Sequence, residues 1–251
     1  MSNQGRKPRV SAVIPVLNEA QTLPRTLTSI TTQVPAPVEV VVVDGGSTDG
    51  SDRIAGVEGV RVISTRPGRG GQLQVGARAA SGDVLLFLHA DTRLPSGAVP
   101  AIIHLLENDA VVGGRFRLRF PHRHPLLGFI EFLSRFPWTW TSYGDSGFFV
   151  RRSVYEEIGG FEDVPVLEDL GFFRRLKNAG RVRVLPLAVN TSCRRFCDRG
   201  PLRQLLTNIG LVVSYSLGTS PATLAARYKR NSAPDGEQSR ALKCIPERSG
   251  R

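Results

Sequence analysis

Short apolar runs alternate with polar or glycine-containing segments through the first part of the chain. The runs lie at residues 10–16, 38–43, 60–64 and 83–88 and consist mostly of Val, Ile and Leu. Continuous apolar runs of this length are typical of strands that are buried on both faces of a parallel sheet. Because the intervening segments are long enough for helices, the pattern predicts right-handed β-α-β crossovers and an α/β fold with an open, mostly parallel sheet flanked by helices.

The helices of this first part have less definite boundaries. Asn18 followed by Gln21 resembles a capping box, whereas Pro24 suits the first turn of a helix, so the first helix has two candidate starting points. A glycine-rich loop at 66–71 precedes a later helix, which we place at 73–80.

The second half of the chain is more irregular. Residues 111–120 alternate in character, which predicts a half-exposed strand with Arg115 and two further arginines on its solvent face. Residues 125–143 are rich in aromatic side chains and predict a helix plus a loop. The remaining patterns predict a strand at 148–150, helices at 154–158, 166–179 and 202–217, and strands within 181–189. From about residue 228 the chain is polar and charged, which predicts a disordered basic tail at 228–251.

The composition is that of a folded domain with a strong positive charge. Of 251 residues, 41% are hydrophobic and 22% are charged, which allows a sizeable core. We interpret residues 9–227 as a single domain with halves at 9–109 and 110–227. The formal net charge of +11 favours a phosphorylated ligand, a nucleic acid or an anionic membrane as partner, although a general preference for arginine explains it equally well.

Cysteines and apolar segments bear on the compartment. The three cysteines, Cys193, Cys197 and Cys244, form no Cys-x-x-Cys pair, and no His lies near the first two in sequence. We therefore expect free thiols rather than a disulfide framework or a zinc site. We find no run of about 18 apolar residues and no apolar leader behind the polar N-terminus. We expect a cytoplasmic protein, with peripheral membrane contact as an open alternative.

Polar side chains follow three of the predicted strands. Asn18 comes after the first strand, Asp44 after the second, and His89 and Asp91 after the fourth. In open α/β sheets, ligands bind at the carboxyl ends of the strands. We therefore expect these side chains to converge on one binding site.

Each of these residues also has a purely structural explanation. Asp44 is placed to accept hydrogen bonds from a ribose or a base, or to cap a helix. His89 and Asp91 point to the same side, where Asp91 suits Mg²⁺ or Mn²⁺ or else caps the turn at Thr92. Arg69 is placed either to pair with diphosphate oxygens or to remain solvated.

Glu168 and Asp169 lie at the start of a predicted helix. Acidic residues are stabilised there by the helix dipole alone. A carboxylate at this position that faces a cleft is also well placed to deprotonate an acceptor hydroxyl. The sequence leaves both explanations open.

Five motifs occur in order along the chain. They are AVIPVLNE at 12–19, VVDGGSTD at 42–49, GGQ at 70–72, ASGDVLLFLHAD at 80–91 and VLED at 166–169. Together they resemble the family 2 glycosyltransferases with the GT-A fold, over roughly residues 9–200. The pattern is most similar to a small soluble bacterial branch with His-Ala-Asp in place of Asp-x-Asp, of which YGDSGFFVRR at 143–152 is also typical.

The resemblance implies an inverting transfer of a sugar from a nucleoside diphosphate sugar, assisted by Mg²⁺ or Mn²⁺. It implies that residues 9–109 bind the donor and residues 110–227 the acceptor. Asp169 is implied as the catalytic base with Glu168 as the next candidate, and Asp91 as a metal ligand. The donor pocket is implied to contain Pro15, Asn18, Glu19, Asp44, Gly71, Gln72 and Asp91, to which we add Arg69 and His89.

Two departures from the family pattern change these expectations. His89 replaces the first Asp of Asp-x-Asp, so that either the metal has one carboxylate fewer, or His89 ligates it or contacts the ribose. No Gln-x-x-Arg-Trp sequence follows residue 169, which argues against a processive polysaccharide synthase.

The acceptor is a glycan, a lipid or a small molecule that the sequence does not identify. Trp138 and Trp140 are placed to stack on a sugar or hold an apolar group, or belong to ordinary packing, and Asp145 is expected to face the acceptor. Arg151 and Arg152 are further candidates for phosphate contacts. The helix at 202–217, with flanking arginines, is placed to rest on an anionic bilayer, or is a core helix. These basic flanks are Arg203, Arg227, Lys229 and Arg230.

Two functions of other classes remain open alternatives. One is a non-catalytic protein that binds a nucleotide sugar, and the other is a basic protein that binds nucleic acid. The arginines are scattered and no nucleic-acid-binding motif occurs, so we expect no nucleic-acid partner. The first strand and turn lack Gly-x-Gly-x-x-Gly, which argues against dinucleotide binding.

Overall fold

The structure is a computed structural model that describes residues 6–56, 59–141 and 144–230. Within these ranges eight strands form one sheet: β1 Val10–Val16, β2 Glu39–Asp44, β3 Val60–Ser64, β4 Val84–Phe87, β5 Thr92–Arg93, β6 Val111–Arg119, β7 Phe148–Arg151 and β8 Arg181–Thr191. Their order is β3-β2-β1-β4-β7-β6-β8-β5. β1 to β4 run parallel, β7 is antiparallel to both neighbours, and β6 pairs in parallel with β8. The predicted open, mostly parallel sheet is therefore confirmed.

Helices cover both faces of this sheet. Those in the described ranges are α1 Leu23–Thr31, α2 Ser51–Ala55, α3 Arg69–Ala79, α4 Ala98–Leu105, α5 Pro125–Leu133, α6 Arg152–Glu157, α7 Glu168–Ala179, α8 Arg194–Arg199, α9 Pro201–Ser216 and α10 Pro221–Arg230. Two short 3-10 helices lie at Thr139–Thr141 and Gly144–Ser146. Pro24 occupies the first turn of α1, so the proline start is confirmed and the capping box at Asn18 is wrong.

The central strands β1, β2 and β4 carry apolar residues at successive positions because both faces of the sheet are covered there. Ile14, Val42 and Leu86 point into one hydrophobic cluster. Val13 and Val43, their neighbours in sequence, point into a second cluster on the opposite face. This alternation explains why the runs show no polar side, as expected for central strands of a parallel sheet.

Helix α3 begins at Arg69 rather than at residue 73, so the predicted loop at 66–71 is wrong in its last part. Gly70 lies in the first turn, where a Cβ atom would collide with the carbonyl oxygen of Glu162. Such a close backbone approach requires a glycine. The glycines in this segment therefore allow α3 to pack against the chain that precedes α7.

Strand β6 keeps its predicted alternation only in its second half, where Arg117 is partly buried and Arg119 is exposed, and the prediction is wrong at Arg115. Arg115 is fully buried, and its guanidinium donates to the backbone carbonyls of Phe116, Ser134 and Phe136. Burial lowers the pKa of Arg115 to about 10. The prediction failed because β6 lies between β7 and β8, with the ring of Phe173 in α7 packed near the guanidinium. Arg115 instead fixes the chain that leads from α5 toward the tryptophans.

The C-terminal part can be assessed only up to residue 230. Helix α10 includes residues 228–230, so the predicted disorder is wrong for these three positions. The rest of the predicted tail, 231–251, lies outside the described residues. In the part of the chain that the structure describes, no helix combines the length and apolar character needed to cross a membrane.

Candidate functional site

The loop after β2 is folded around the carboxylate of Asp44. This carboxylate is buried and accepts hydrogen bonds from the backbone N–H groups of Gly46 and Ser47 and from the Ser47 hydroxyl. Asn18, which follows β1, adopts a left-handed backbone conformation with φ of 55°. Its side-chain oxygen accepts a hydrogen bond from the backbone N–H of Thr48 at 2.8 Å. Asp44 and Asn18 thus shape one loop at the carboxyl ends of two adjacent parallel strands.

A second carboxylate ties this loop to the segment after β1. Asp49 accepts hydrogen bonds from the backbone N–H groups of Ser51 and Ala20. The residue that caps α2 is Gly50, with no side-chain cap, so the alternative that Asp44 caps this helix is wrong. The role of Asp44 toward a nucleoside stays a prediction.

The GGQ motif lies beneath the same strand ends. The side-chain nitrogen of Gln72 is buried and donates to the backbone carbonyls of Val16 and Val43, both at 2.8 Å. These bonds tie α3 to the ends of β1 and β2, near Pro15, which pairs with Val43. Gly71 lies against the carboxylate of Asp163. In this structure Gln72 therefore positions the strand ends, and its predicted contact with a nucleotide is not tested.

Acidic side chains converge after β4. Nδ1 of His89 lies 2.7 Å from a carboxylate oxygen of Asp145, which brings the 3-10 helix at 144–146 to the strand end. Burial raises the pKa of Asp91, and the neighbouring carboxylates of Asp145 and Glu19 raise it further, while His89 and Arg194 oppose the rise. Asp91, Asp145 and Glu19 therefore concentrate negative charge at one place.

This cluster has the chemistry of a site for a hard divalent cation. Carboxylate oxygens are the ligands that Mg²⁺ prefers, and Mn²⁺ suits the same oxygen ligands. Carboxylates that raise the pKa of Asp91 would be stabilised by a positive ion between them. The alternative that Asp91 caps the turn at Thr92 has weak support. The Thr92 hydroxyl lies 3.4 Å from a carboxylate oxygen of Asp91, which is long for a hydrogen bond. The side chains present are thus of the chemical type that suits the implied metal, with Asp91 and His89 as the predicted ligands.

Glu19 and Arg194 connect this cluster to the end of β8. A guanidinium nitrogen of Arg194 lies 2.8 Å from a carboxylate oxygen of Glu19. Thr191, the last residue of β8, pairs with Thr92 of β5. The hydroxyl oxygens of these two threonines lie 3.0 Å apart. Sequence reasoning missed Arg194, because nothing in the chain pattern indicates that a position so distant in sequence reaches the first strand.

The start of α7 brings two further carboxylates into the site. Glu168 and Asp169 are both buried, and Leu167 before them has a strained, left-handed backbone with φ of 61°. A guanidinium nitrogen of Arg69 lies 3.0 Å from a carboxylate oxygen of Glu168. The pKa of Arg69 is raised overall. Burial lowers this pKa, but the nearby carboxylates of Glu168, Asp169 and Asp145 raise it by more. Arg69 therefore pairs with the acidic centre while 37% of its side chain stays exposed to solvent.

A small void of about 10 Å³, roughly the room of one water molecule, lies between the end of β4 and the start of α7. It is lined by His89 from the end of β4 and by Glu168 and Asp169 from the start of α7, together with apolar side chains that include Phe148 and Phe161. His89 thus lies beside Glu168 and Asp169, although almost eighty positions separate them in sequence. The expected convergence of Asn18, Asp44 and Asp91 on the same place stays a prediction.

The predicted acceptor residues form an exposed aromatic stack. The ring of Trp138 stacks on those of Phe136 and Trp140, with centroids 4.6 and 4.9 Å away. The two tryptophans are 40% and 49% exposed, so they are not core residues. The 3-10 helix that holds Trp140 contacts α7, which carries Asp169. Tyr143, at the start of the motif at 143–152, lies outside the described residues.

Two predicted phosphate contacts are wrong. Arg151 pairs with Val84 at the beginning of β4, whereas the site lies at the end of that strand. The guanidinium of Arg151 donates to backbone carbonyls that include that of Val111, and the guanidinium of Arg152 donates to those of α3 and the chain after it. Both arginines therefore bind backbone carbonyls at the edge of the sheet opposite the candidate site.

The two described cysteines are free thiols, as predicted. Burial and the hydrogen bond with Cys197 raise the pKa of Cys193 to about 12. A histidine that is distant in sequence does lie beside them in space, because a ring nitrogen of His122 and both sulfur atoms lie within 4.8 Å of one another. The loop between β6 and α5 brings His122 to this place, which spacing along the chain does not reveal.

Comparison with known sequences finds one family. A model described as Glycosyl transferase family 2 matches residues 11–159. The probable glycosyltransferase YdaM of Bacillus subtilis is 26% identical over 215 residues, which cover 74% of this chain and 51% of that protein. The uncharacterized glycosyltransferase Rv0539 of Mycobacterium tuberculosis is 34% identical over 110 residues, which cover 43% of this chain and 49% of that protein. The chain thus spans about half the length of these curated relatives.

Solved structures share the fold at low sequence identity. One is the mannosyltransferase PcManGT from Pyrobaculum calidifontis in complex with GDP-Man and Mn²⁺, with a TM-score of 0.62 at 19% sequence identity. The matched region covers 92% of this chain and 82% of that protein. The S. aureus TarS 1-349 structure, in complex with UDP-GlcNAc, has a TM-score of 0.59 at 18% identity and covers 73% of this chain and 58% of its own. These similarities confirm the GT-A type of fold.

Proposed function

The chain belongs to glycosyl transferase family 2, and on this basis we propose that it moves a sugar from a nucleoside diphosphate sugar to an acceptor hydroxyl with inversion, assisted by Mg²⁺ or Mn²⁺. The observation that supports the proposal is the proximity of His89, which follows β4, to Glu168 and Asp169 at the start of α7. A candidate metal ligand and the candidate proton acceptors would then act at one site.

The donor nucleotide is proposed to bind across the ends of β1, β2 and β4. Asn18 and Asp44 fix the loop in which backbone groups of Ser47 and Thr48 are held, and Gln72 holds the strand ends from below. A rigid rim of this kind would orient a nucleoside without reorganisation. The solved neighbours named for GDP-Man and UDP-GlcNAc make a nucleoside diphosphate sugar the expected class of donor.

The metal is proposed to bind at Asp91 and His89, beside Asp145 and Glu19. When bound there, a divalent cation would offset the negative charge that develops on the leaving diphosphate. If the Nδ1 atom of His89 donates to Asp145, Nε2 faces away as an acceptor that can bind a metal. Arg69, which forms an ion pair with Glu168, would add a positive charge for the oxygens of the leaving diphosphate.

Asp169 is proposed as the base that accepts the proton of the attacking hydroxyl. Glu168 is the weaker candidate because its carboxylate already forms an ion pair with Arg69. A single base opposite the leaving group implies one displacement and therefore inversion at the anomeric carbon. The domain assignment of 9–227, with the donor in 9–109 and the acceptor in 110–227, stays a prediction.

The acceptor is proposed to be apolar or lipid-linked and to approach over the aromatic stack. Helix α5 contacts α9, and both helices carry exposed apolar side chains, as the aromatic stack does, so we propose that they act as one region. We name this region the apolar face; its exposed members are Phe129, Phe132, Trp138, Trp140, Leu202, Leu206, Ile209 and Val213. An exposed apolar area of this kind on a basic protein suits an anionic membrane surface. One relative, from Aeromonas hydrophila, is named as an undecaprenyl-phosphate 4-deoxy-4-formamido-L-arabinose transferase and is 32% identical over 119 residues, which cover 43% of this chain and 36% of that protein.

The test is an assay of nucleoside diphosphate release from a panel of nucleoside diphosphate sugars with Mn²⁺ and Mg²⁺, with and without an alcohol or polyprenyl phosphate acceptor. We expect release with one donor, faster with acceptor, and a product of inverted anomeric configuration by NMR. A product of retained configuration would contradict the mechanism. Tight donor binding without any release would favour the non-catalytic alternative.

A further inference from the structure

A cluster of soft metal ligands lies outside the residues assigned to sugar transfer. The sulfur atoms of Cys193 and Cys197 are 3.6 Å apart, and a ring nitrogen of His122 completes a set within 4.8 Å. Cys193 is buried, and the other two are partly buried. The proposed transfer reaction uses none of these residues, and both cysteines lie outside the family match at 11–159.

The local fold explains why three distant ligands meet. Cys193 precedes α8 and Cys197 lies one turn later, so both thiols are on the same side of that helix. His122 lies in the segment between β6 and α5. The rings of Phe120 and Phe196 pack with centroids 5.8 Å apart, which holds the two segments together.

The separation of the sulfur atoms suits a bound metal better than a disulfide. Two thiolates on a tetrahedral zinc ion, each at about 2.3 Å, lie roughly 3.8 Å apart. A disulfide requires about 2.04 Å. The His122 ring also has no role in a disulfide, but it is an ordinary third ligand for zinc.

We propose that Cys193, Cys197 and His122 bind a zinc ion that fastens the start of α8 to the loop after β6. Two thiolates and an imidazole are the ligand types that favour zinc over Mg²⁺ or Mn²⁺, which prefer oxygen. Three protein ligands with a water in the fourth position is a coordination that zinc sites use.

The ion would also hold Arg194 in place. Arg194 directly follows Cys193, and its guanidinium lies 2.8 Å from the carboxylate of Glu19 beside Asp91. Zinc binding would thus fix one wall of the candidate donor site without entering it.

The test is a metal titration of the full chain, reduced and stripped with a chelator. We expect one Co²⁺ per chain with the intense visible bands of a tetrahedral thiolate site, and their loss when Zn²⁺ is added. Cys193→Ser and Cys197→Ser should abolish these bands, and His122→Ala should weaken binding by about tenfold or more. Because Cys197 is only partly buried, its serine variant is expected to fold even if Cys193→Ser does not.

Two variants serve as controls. His104→Ala removes a histidine that is 86% exposed in its side chain, and Cys244→Ser removes the remaining thiol. Both should bind Co²⁺ as the unaltered chain does, and Zn²⁺ should raise the melting temperature of both but not of Cys197→Ser. The proposal would be overturned by bands that persist without Cys193 or Cys197, by the absence of binding, by loss of binding in Cys244→Ser, or by a Cys193–Cys197 disulfide in the freshly purified protein.

Discussion

The donor side and the acceptor side of the candidate site are built in different ways. On the donor side, side chains such as Asp44 and Gln72 are buried and bonded to the backbone of adjacent parallel strands. On the acceptor side, Trp138 and Trp140 stack on each other with about half of each ring system open to solvent. The sheet therefore fixes the geometry of the donor side, whereas the acceptor side offers exposed aromatic surface for contact with a substrate. Changes on the donor side should therefore alter chemistry and folding, and changes on the acceptor side should alter substrate use.

The largest effect is expected from Asp169→Asn. Removal of a catalytic base lowers kcat by about 10² to 10⁴-fold, while the donor should bind with unchanged affinity. Steady-state kinetics and donor titration of the same preparation measure both quantities. Glu168→Gln is the matched control, and its main effect should be lost stability from the broken pair with Arg69. A larger fall in kcat for Glu168→Gln would reverse the assignment of the base.

The next largest effect is expected on folding, from Gly70→Ala. The added Cβ atom collides with the backbone of Glu162, and such overpacking costs about 1–3 kcal/mol in the free energy of unfolding. Gly128→Ala is the control, since its Cβ meets nothing within 4 Å in helix α5. That variant should be stabilised by about 0.5–1 kcal/mol. Denaturant unfolding measures the free energy of unfolding of both variants. Equal free energies for Gly70→Ala and Gly128→Ala would show that α3 packs more loosely against the chain before α7 than described.

A smaller effect is expected on the acceptor side, from Trp138→Ala. Loss of an aromatic stacking partner is worth about 0.5–1.5 kcal/mol. The KM for the acceptor should therefore rise by roughly twofold to tenfold, with kcat and donor affinity little changed. Trp138→Phe keeps a ring in the stack and should recover most of the loss. An unchanged KM for the alanine variant would remove Trp138 from the acceptor site.

The smallest effect is expected at the apolar face. Leu206→Gln should lower retention on vesicles that contain anionic lipid by a few-fold, because one partly inserted leucine contributes about 1 kcal/mol. Val34→Gln is the control, since Val34 is also exposed but lies between α1 and β2. Equal vesicle binding of both variants would contradict a membrane contact at α9. Dimers that dissociate only in Leu206→Gln would show that a second copy covers this face.

The sequence predicts the donor side better than the acceptor side for a physical reason. Strands buried on both faces and polar residues at their ends leave a local pattern, so β1, β2 and β4 and the polar positions of His89 and Asp91 after β4 followed from spacing. The place of Glu168 and Asp169 beside His89 is visible only in the folded protein. Arg115 was placed on the wrong face because burial of β6 depends on helices far along the chain. Arg194 and His122 were missed for the same reason, since their partners meet them only in the folded protein.

The most direct test of the account is thermal unfolding of the chain with nucleoside diphosphates and their sugars, with and without Mn²⁺, for the native protein and Asp91→Ala. We predict that one nucleotide family stabilises the native protein only when Mn²⁺ is present. At a ligand concentration of about 100 times Kd, the gain is about 2.7 kcal/mol, which is several degrees for a chain of this size. Asp91→Ala should lose the gain while unfolding normally without ligand. Stabilisation that needs no metal, or that survives in Asp91→Ala, would contradict the metal-assisted donor site.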